Sequence, residues 1–127
     1  MVDSNVSKIS IIIDYQIKSF SELFCYCECI ESIKFKKFYR NNVTNISGMF
    51  RGCSLLEELN LINFNTNNVT DMSCMFRGCS SLKELNLNNF NTNNVNNMSC
   101  MFSECLDELK LKIKSQFRNF KEEAFKN

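Results

Sequence analysis

The dipeptide Met-Phe occurs at Met49-Phe50, Met75-Phe76 and Met101-Phe102, each pair twenty-six residues from the next. The interval belongs to a longer copy. Residues 69–94 read VTDMSCMFRGCSSLKELNLNNFNTNN, residues 43–68 read VTNISGMFRGCSLLEELNLINFNTNN, and twenty of the twenty-six positions are identical. A fixed period of this length constrains the fold strongly. One unit is too short to bury its own apolar face, so it must stack on its neighbours.

The flanking segments fall into the same register. In residues 17–42, Ile17, Phe20, Phe24 and Cys27 align with Val69, Met72, Phe76 and Cys79. Ile30, Ile33, Phe35 and Phe38 align with Leu82, Leu85, Leu87 and Phe90, so apolar character persists where the surface has diverged. A fourth unit opens as VNNMSCMFSEC at Val95 and shortens after Cys105, with Leu109 and Leu111 standing for Leu85 and Leu87. The tail has Ile113, Phe117, Phe120 and Ala124 at i, i+4, i+7 and i+11, one face of a helix. The expected layout is a single domain over 1–127. An N-terminal strand cap occupies 1–16 and a diverged repeat 17–42. Full repeats occupy 43–68 and 69–94, a truncated repeat 95–111, and a C-terminal helical cap 112–127.

Within a unit, Leu82, Leu85 and Leu87 give L-x-x-L-x-L, whose last part alternates with period two and predicts a short strand. Asn-Thr-Asn-Asn turns the chain. Val69, Met72, Phe76 and Cys79 recur at i, i+3, i+7 and i+10, which predicts a short helix. Asn68 or Thr70-Asp71 would cap its start, and Gly78 would end it. The expected fold class is therefore α/β. It is a right-handed solenoid of about four rungs, each a strand plus a helix, with the parallel sheet on the concave side.

The L-x-x-L-x-L segment followed by an apolar helical stripe resembles the leucine-rich repeats. The closer likeness is to the BspA-like group and its mycoplasma-type surface-lipoprotein relatives. Their units look like V-x-x-M-S-x-M-F-x-G-C-S-S-L-x-x-L-x-L-x-x-F-x-T-x-x-V, which residues 69–95 follow at nearly every specified position. That resemblance implies a right-handed repeat stack used for binding, often at cell surfaces.

Composition narrows the function. The net charge is +1, so no global field favours nucleic acid. No apolar run is long enough to span a membrane. Histidine is absent and glycine occurs three times, which leaves no Cys–His nucleophile and no Gly-rich phosphate loop. The chain is read as a non-enzyme without cofactor. MVDSNVSK is not a signal peptide. With eight cysteines read as reduced, a cytoplasmic location is expected, with the cell surface as the alternative for a chain trimmed of its leader.

The cysteines form two rows, Cys27/Cys53/Cys79/Cys105 and Cys74/Cys100. Their spacing does not suit zinc, and burial as small hydrophobes is the expectation. Disulfides between adjacent rungs would fit by distance in an oxidising compartment. Asn65/Asn91, Asn67/Asn93 and Asn68/Asn94 are expected to form structural ladders at the turns.

The concave face is where a partner would dock. Alternation places Ser32, Glu58, Glu84 and Glu108 in one outward row. A second row holds Lys34, Asn60, Asn86 and Lys110, and a third Lys36, Ile62, Asn88 and Lys112. Stacked glutamates repel one another, which suits a basic partner, and Ile62 supplies an apolar anchor. The expected function is a scaffold that takes a protein or peptide on this face. The alternative is an adhesive or structural surface module.

Overall fold

The computed structural model describes residues 17–35 and 42–127. The expected N-terminal cap, Lys36 and Phe38 lie outside the described residues.

The strand-plus-helix solenoid of four rungs is not what forms. Among the described residues the regular elements are β1 (Ser32–Lys34), β2 (Glu58–Asn60), α1 (Asp107–Gln116) and a 3-10 helix at Glu122–Phe125. The two strands make a two-stranded parallel sheet with Ser32 opposite Glu58, Ile33 opposite Leu59 and Lys34 opposite Asn60. Residues 84–86 form no strand.

The segments expected to be helices are runs of turns, and their hydrogen bonds show why. Ile46, Gly48, Phe50 and Gly52 donate their N–H groups to Asp71, Ser73, Met75 and Arg77, in the following repeat. The residues between them close local turns instead: Met49 to Ile46, Arg51 to Gly48 and Cys53 to Phe50. An α-helix would send every one of these groups to i−4. Positive φ at Gly48 (59°) and Gly52 (72°), and at Cys74 (55°) and Gly78 (75°), breaks any helical run.

Asp71 therefore caps a turn and not a helix. Its Oδ1 accepts the Ser73 N–H at 2.9 Å and the Ser73 hydroxyl at 2.7 Å. The Oδ1 atoms of Asn45 and Asn97 likewise accept the N–H groups of Ser47 and Ser99. These three residues and Ser19 are joined by parallel bridges, Ser19 to Asn45, Asn45 to Asp71 and Asp71 to Asn97. The period of twenty-six thus appears as a backbone register between repeats.

The core follows the apolar positions. Ile46, Met49, Phe50 and Cys53 are buried, as are Met72, Met75, Phe76 and Cys79. Their phenyl rings form a file. Phe24, Phe50, Phe76 and Phe102 lie nearly parallel, with centroids 5.7, 5.9 and 5.6 Å apart. Leu56, Leu59, Leu61 and Phe64 close the opposite side, with Leu82, Leu85, Leu87 and Phe90 in the next repeat.

The C-terminal helix sits earlier than its apolar spacing predicts. α1 begins at Asp107 and ends where Phe117 turns extended, at φ −127° and ψ 121°. Leu109 and Ile113, at i and i+4, are its buried residues. Leu111 is 68% exposed, so it does not occupy the core place of Leu87. Phe120 and Ala124 are buried beyond the helix. The Cys100 N–H donates to Glu123 O and the Phe102 N–H to Ala124 O, while Phe125 stacks on Phe102 at 5.2 Å. The last turn segment is thereby covered with bonds of the same kind that join the repeats.

Candidate functional site

β1 and β2 pair in register, and this sets Lys34 beside Asn60 and Ser32 beside Glu58. Together with Ile33, Leu59, Leu61, Ile62 and Asn86 they line a shallow depression of about 490 Å³. Ile62 is 65% exposed at its edge. The Asn60 Oδ1 accepts the Ile62 N–H at 3.0 Å, and the Asn86 Oδ1 accepts the Asn88 N–H at 2.9 Å. These carboxamides fix tight turns.

Glu84 and Asn88 are exposed in the next repeat, without strand pairing. Glu108 and Lys110 are not in a strand row. Both lie on α1, where the Lys112 Nζ is 3.1 Å from Glu108 and the Lys110 Nζ 3.5 Å from Asp107. A three-glutamate strand row does not form, because the fourth unit folds as a helix where the second has β2. The docking face expected as a broad concave sheet is reduced to a two-stranded ribbon and its border.

A second depression of about 720 Å³ lies on the Asn and Thr turns, lined by Lys18, Asn42, Thr44, Asn68, Thr70, Asn93, Asn94 and Asn96. Of these, Asn68, Asn93 and Asn94 belong to the turn ladders expected to be structural. Part of that bonding is present: the Asn94 Nδ2 donates to Asn67 O at 2.8 Å, while Asn65 and Asn91 accept the N–H groups of Asn67 and Asn93. Asn89 lies outside the expected ladders. Its Nδ2 reaches Leu61 O, Ile62 O and Phe64 O at 3.0, 3.1 and 2.8 Å, so one amide ties the loop beneath Ile62 to the next repeat.

The two cysteine rows differ in environment. Cys53, Cys79 and Cys105 are buried, and their thiols donate to Phe24 O, Phe50 O and Phe76 O at 3.0, 3.1 and 3.0 Å. Burial is the main cause that pushes Cys53 up to about 11 and Cys105 up to about 12, and Cys79 is also raised by burial. Cys74 and Cys100 are half-buried. Among the described residues no group of three or more His, Cys, Asp or Glu is gathered as a metal site. No described helix is long and apolar enough to cross a membrane.

The family model described as "Mycoplasma protein of unknown function, DUF285" matches residues 18–123, most of the chain. The chain belongs to this family. The match takes in the repeats at 43–68 and 69–94 and reaches into the 3-10 helix of this DUF285 chain. No curated protein and no solved structure matches it.

Proposed function

We propose that this DUF285 chain is a non-catalytic binding module that takes a protein or peptide at the β1–β2 ribbon. The observation that carries the reading is the depression bounded by Lys34, Glu58, Asn60, Ile62 and Asn86. It combines an exposed apolar anchor with charged and amide groups at its border, the composition of a small recognition patch. Glu58 beside it suits a basic segment of the partner.

The long tandem motif from Val69 to Val95 supports placing the chain near the BspA-like repeats. A second reading follows, an adhesive or structural role at a cell surface. The first reading goes with the expected cytoplasmic location, where Cys53, Cys79 and Cys105 would stay reduced and keep their S–H groups for the carbonyls they face.

The test is a crosslinked pull-down from source lysate with the wild type beside Glu58→Lys/Ile62→Asp, both checked for folding by circular dichroism. A partner captured by the wild type and lost by the variant supports the ribbon face. Equal capture by both sinks it. Removal of the native protein from intact cells by added protease would favour the surface reading.

A further inference from the structure

The last turn segment meets acceptors that do not come from a repeat. Met72, Cys74 and Phe76 donate their N–H groups to Asn97, Ser99 and Met101. The equivalent donors in the last repeat are Met98, Cys100 and Phe102, and two residues of the 3-10 helix serve all three. The Cys100 N–H reaches Glu123 O at 2.9 Å, the Phe102 N–H reaches Ala124 O at 2.7 Å, and the Met98 N–H reaches the Glu123 Oε1 at 3.4 Å. One glutamate thus supplies a backbone oxygen and a side-chain oxygen where a repeat supplies two carbonyls. Phe125 adds the ring. It lies 5.2 Å from Phe102 at an interplanar angle of 22°, and continues the phenyl file past its last member. Residues 123–125 imitate the face of a further repeat.

The first described turn segment offers the face that is imitated. Phe20, Glu22, Phe24 and Tyr26 donate forward to the carbonyls of Asn45, Ser47, Met49 and Arg51. The matching carbonyls one repeat earlier belong to Ser19, Ser21, Leu23 and Cys25, and among the described residues no backbone N–H reaches them. The apolar positions agree. Leu23 is 38% exposed where Met49, Met75 and Met101 are fully buried, and Ile17 is 43% exposed where Val43 is buried. Burial at these positions therefore needs a neighbour on this side as well as on the other. A row of unpaired backbone groups beside exposed apolar side chains is a template for another chain.

We propose that this open face, Ser19 to Tyr26, docks onto the last turn segment, Met98 to Phe102, of a second copy of the chain, and that residues 121–125 hold that segment closed. The occupant follows from the bonding. The open face carries acceptors at the repeat spacing, so its partner must carry donors at the same spacing, and Met98, Cys100 and Phe102 do. Phe24 of the incoming copy takes the place of Phe125 on Phe102, just as Phe102 lies on Phe76 within the chain. The two surfaces differ, so the contact is head-to-tail and each added chain presents a new open face. Residues 121–125 and the second copy compete for the same three N–H groups, so association waits on release of that segment. Lys114 latches it from outside, with its Nζ 3.2 Å from Glu122 and 4.7 Å from the centre of the Phe125 ring. The contact uses none of the β1–β2 ribbon and does not depend on what the ribbon binds.

The experiment is sedimentation velocity on variants of the full chain over a wide range of concentration, with folding followed by circular dichroism. Ala124→Asp puts a charge at a fully buried position and should release the segment. The variant should then run as dimers and longer species while the wild type stays monomeric. Phe125→Asp disturbs only a half-buried side chain, and carries the same prediction if Ala124→Asp impairs folding. Adding Leu23→Arg, at an exposed position, should return either variant to monomer. Mixing decides the direction. The Ala124→Asp/Leu23→Arg chain has only its donor surface open and the wild type only its acceptor surface, so together they should form a heterodimer and stop there. An excess of synthetic peptide spanning residues 118–127 should take the oligomers apart. Folded variants that stay monomeric, oligomers that survive Leu23→Arg, or a mixture without heterodimer would overturn the proposal.

Discussion

The Cys79 thiol donates to Phe50 O at 3.1 Å, twenty-nine residues upstream and one repeat away. Cys53 and Cys105 repeat the bond to Phe24 and Phe76. Burial raises all three thiols, to about 11 for Cys53 and about 12 for Cys105. The unfolded chain ionises them near pH ~8.5. Their contribution to stability is therefore complete below that pH and is lost as pH rises toward the folded values. Melting temperature should be level up to about pH 8 and fall steadily above about pH 9. A level profile through pH ~11 would contradict the burial of these thiols. Alkylation of the native protein at neutral pH should spare these three cysteines and modify exposed Cys29.

Gly52 and Gly78 occupy the same place in successive repeats, with φ of 72° and 75°. Any Cβ there meets the left-handed penalty of ~1–2 kcal/mol. At Gly78 the new methyl has room, its nearest neighbours lying 3.5 Å away on Gly52. At Gly52 it would collide with the Tyr26 ring, which also lies under the Arg51 guanidinium at 5.5 Å. Gly78→Ala should cost only the backbone term in urea unfolding, and Gly52→Ala more. Adding Tyr26→Ala to Gly52→Ala should recover the difference. Equal costs for the two glycines would show that the ring moves aside freely.

Phe76 stacks between Phe50 and Phe102, with centroids at 5.9 and 5.6 Å, and is fully buried. Truncation leaves a hole in the middle of the file. Phe76→Ala should destabilise by ~3–5 kcal/mol, enough to unfold a small domain, whereas Phe76→Leu should cost well under half of that. Chemical denaturation of both variants checks the order. A small loss for the alanine would mean that the file closes around the gap.

The Asn89 amide serves three carbonyls on one loop. Asn89→Ala leaves these acceptors short of a donor and should cost about 1–3 kcal/mol. Asn89→Asp is the sharper probe. It keeps the shape but sets a carboxylate against three carbonyl oxygens, and should be worse than alanine. Hydrogen exchange at Ile62 and Phe64 should speed up in both. If aspartate equals wild type, the amide is not the fastener.

The sequence discloses the buried positions better than the path between them. Leu85 and Leu87 are buried while Glu84, Asn86 and Asn88 are exposed, as period-two alternation requires, yet no strand forms there. Met72, Met75, Phe76 and Cys79 are buried at i, i+3, i+4 and i+7. A helix gives that spacing, and so does a run of turns whose alternate N–H groups leave for the next repeat. The deciding signal is positive φ at fixed places. Glycine announces it at Gly48, but Cys74 and Cys100 conceal it. The tail misleads in a similar way. Leu109 and Ile113 fit a helix as well as Ile113 and Phe117 do, and the chain uses the earlier pair. At the candidate site, the neighbours Ser32/Glu58 and Lys34/Asn60 are legible from the period alone. Glu108 and Lys110 could not be placed by period, because two residues are missing after Cys105 and the backbone there is helical.

The backbone hydrogen bonds that join residues 46–52 to 71–77, and 72–78 to 97–103, have a direction. Ile46, Gly48, Phe50 and Gly52 donate forward to Asp71, Ser73, Met75 and Arg77, and Met72, Cys74, Phe76 and Gly78 donate forward in turn to Asn97, Ser99, Met101 and Ser103. The two sides of residues 69–94 are thus complementary to each other, like the stud and socket of a building brick. An in-frame duplication of that stretch would insert a unit whose acceptors meet existing donors and whose donors meet existing acceptors. Recombination between near-identical copies can therefore lengthen or shorten such a protein without requiring a new interface to evolve.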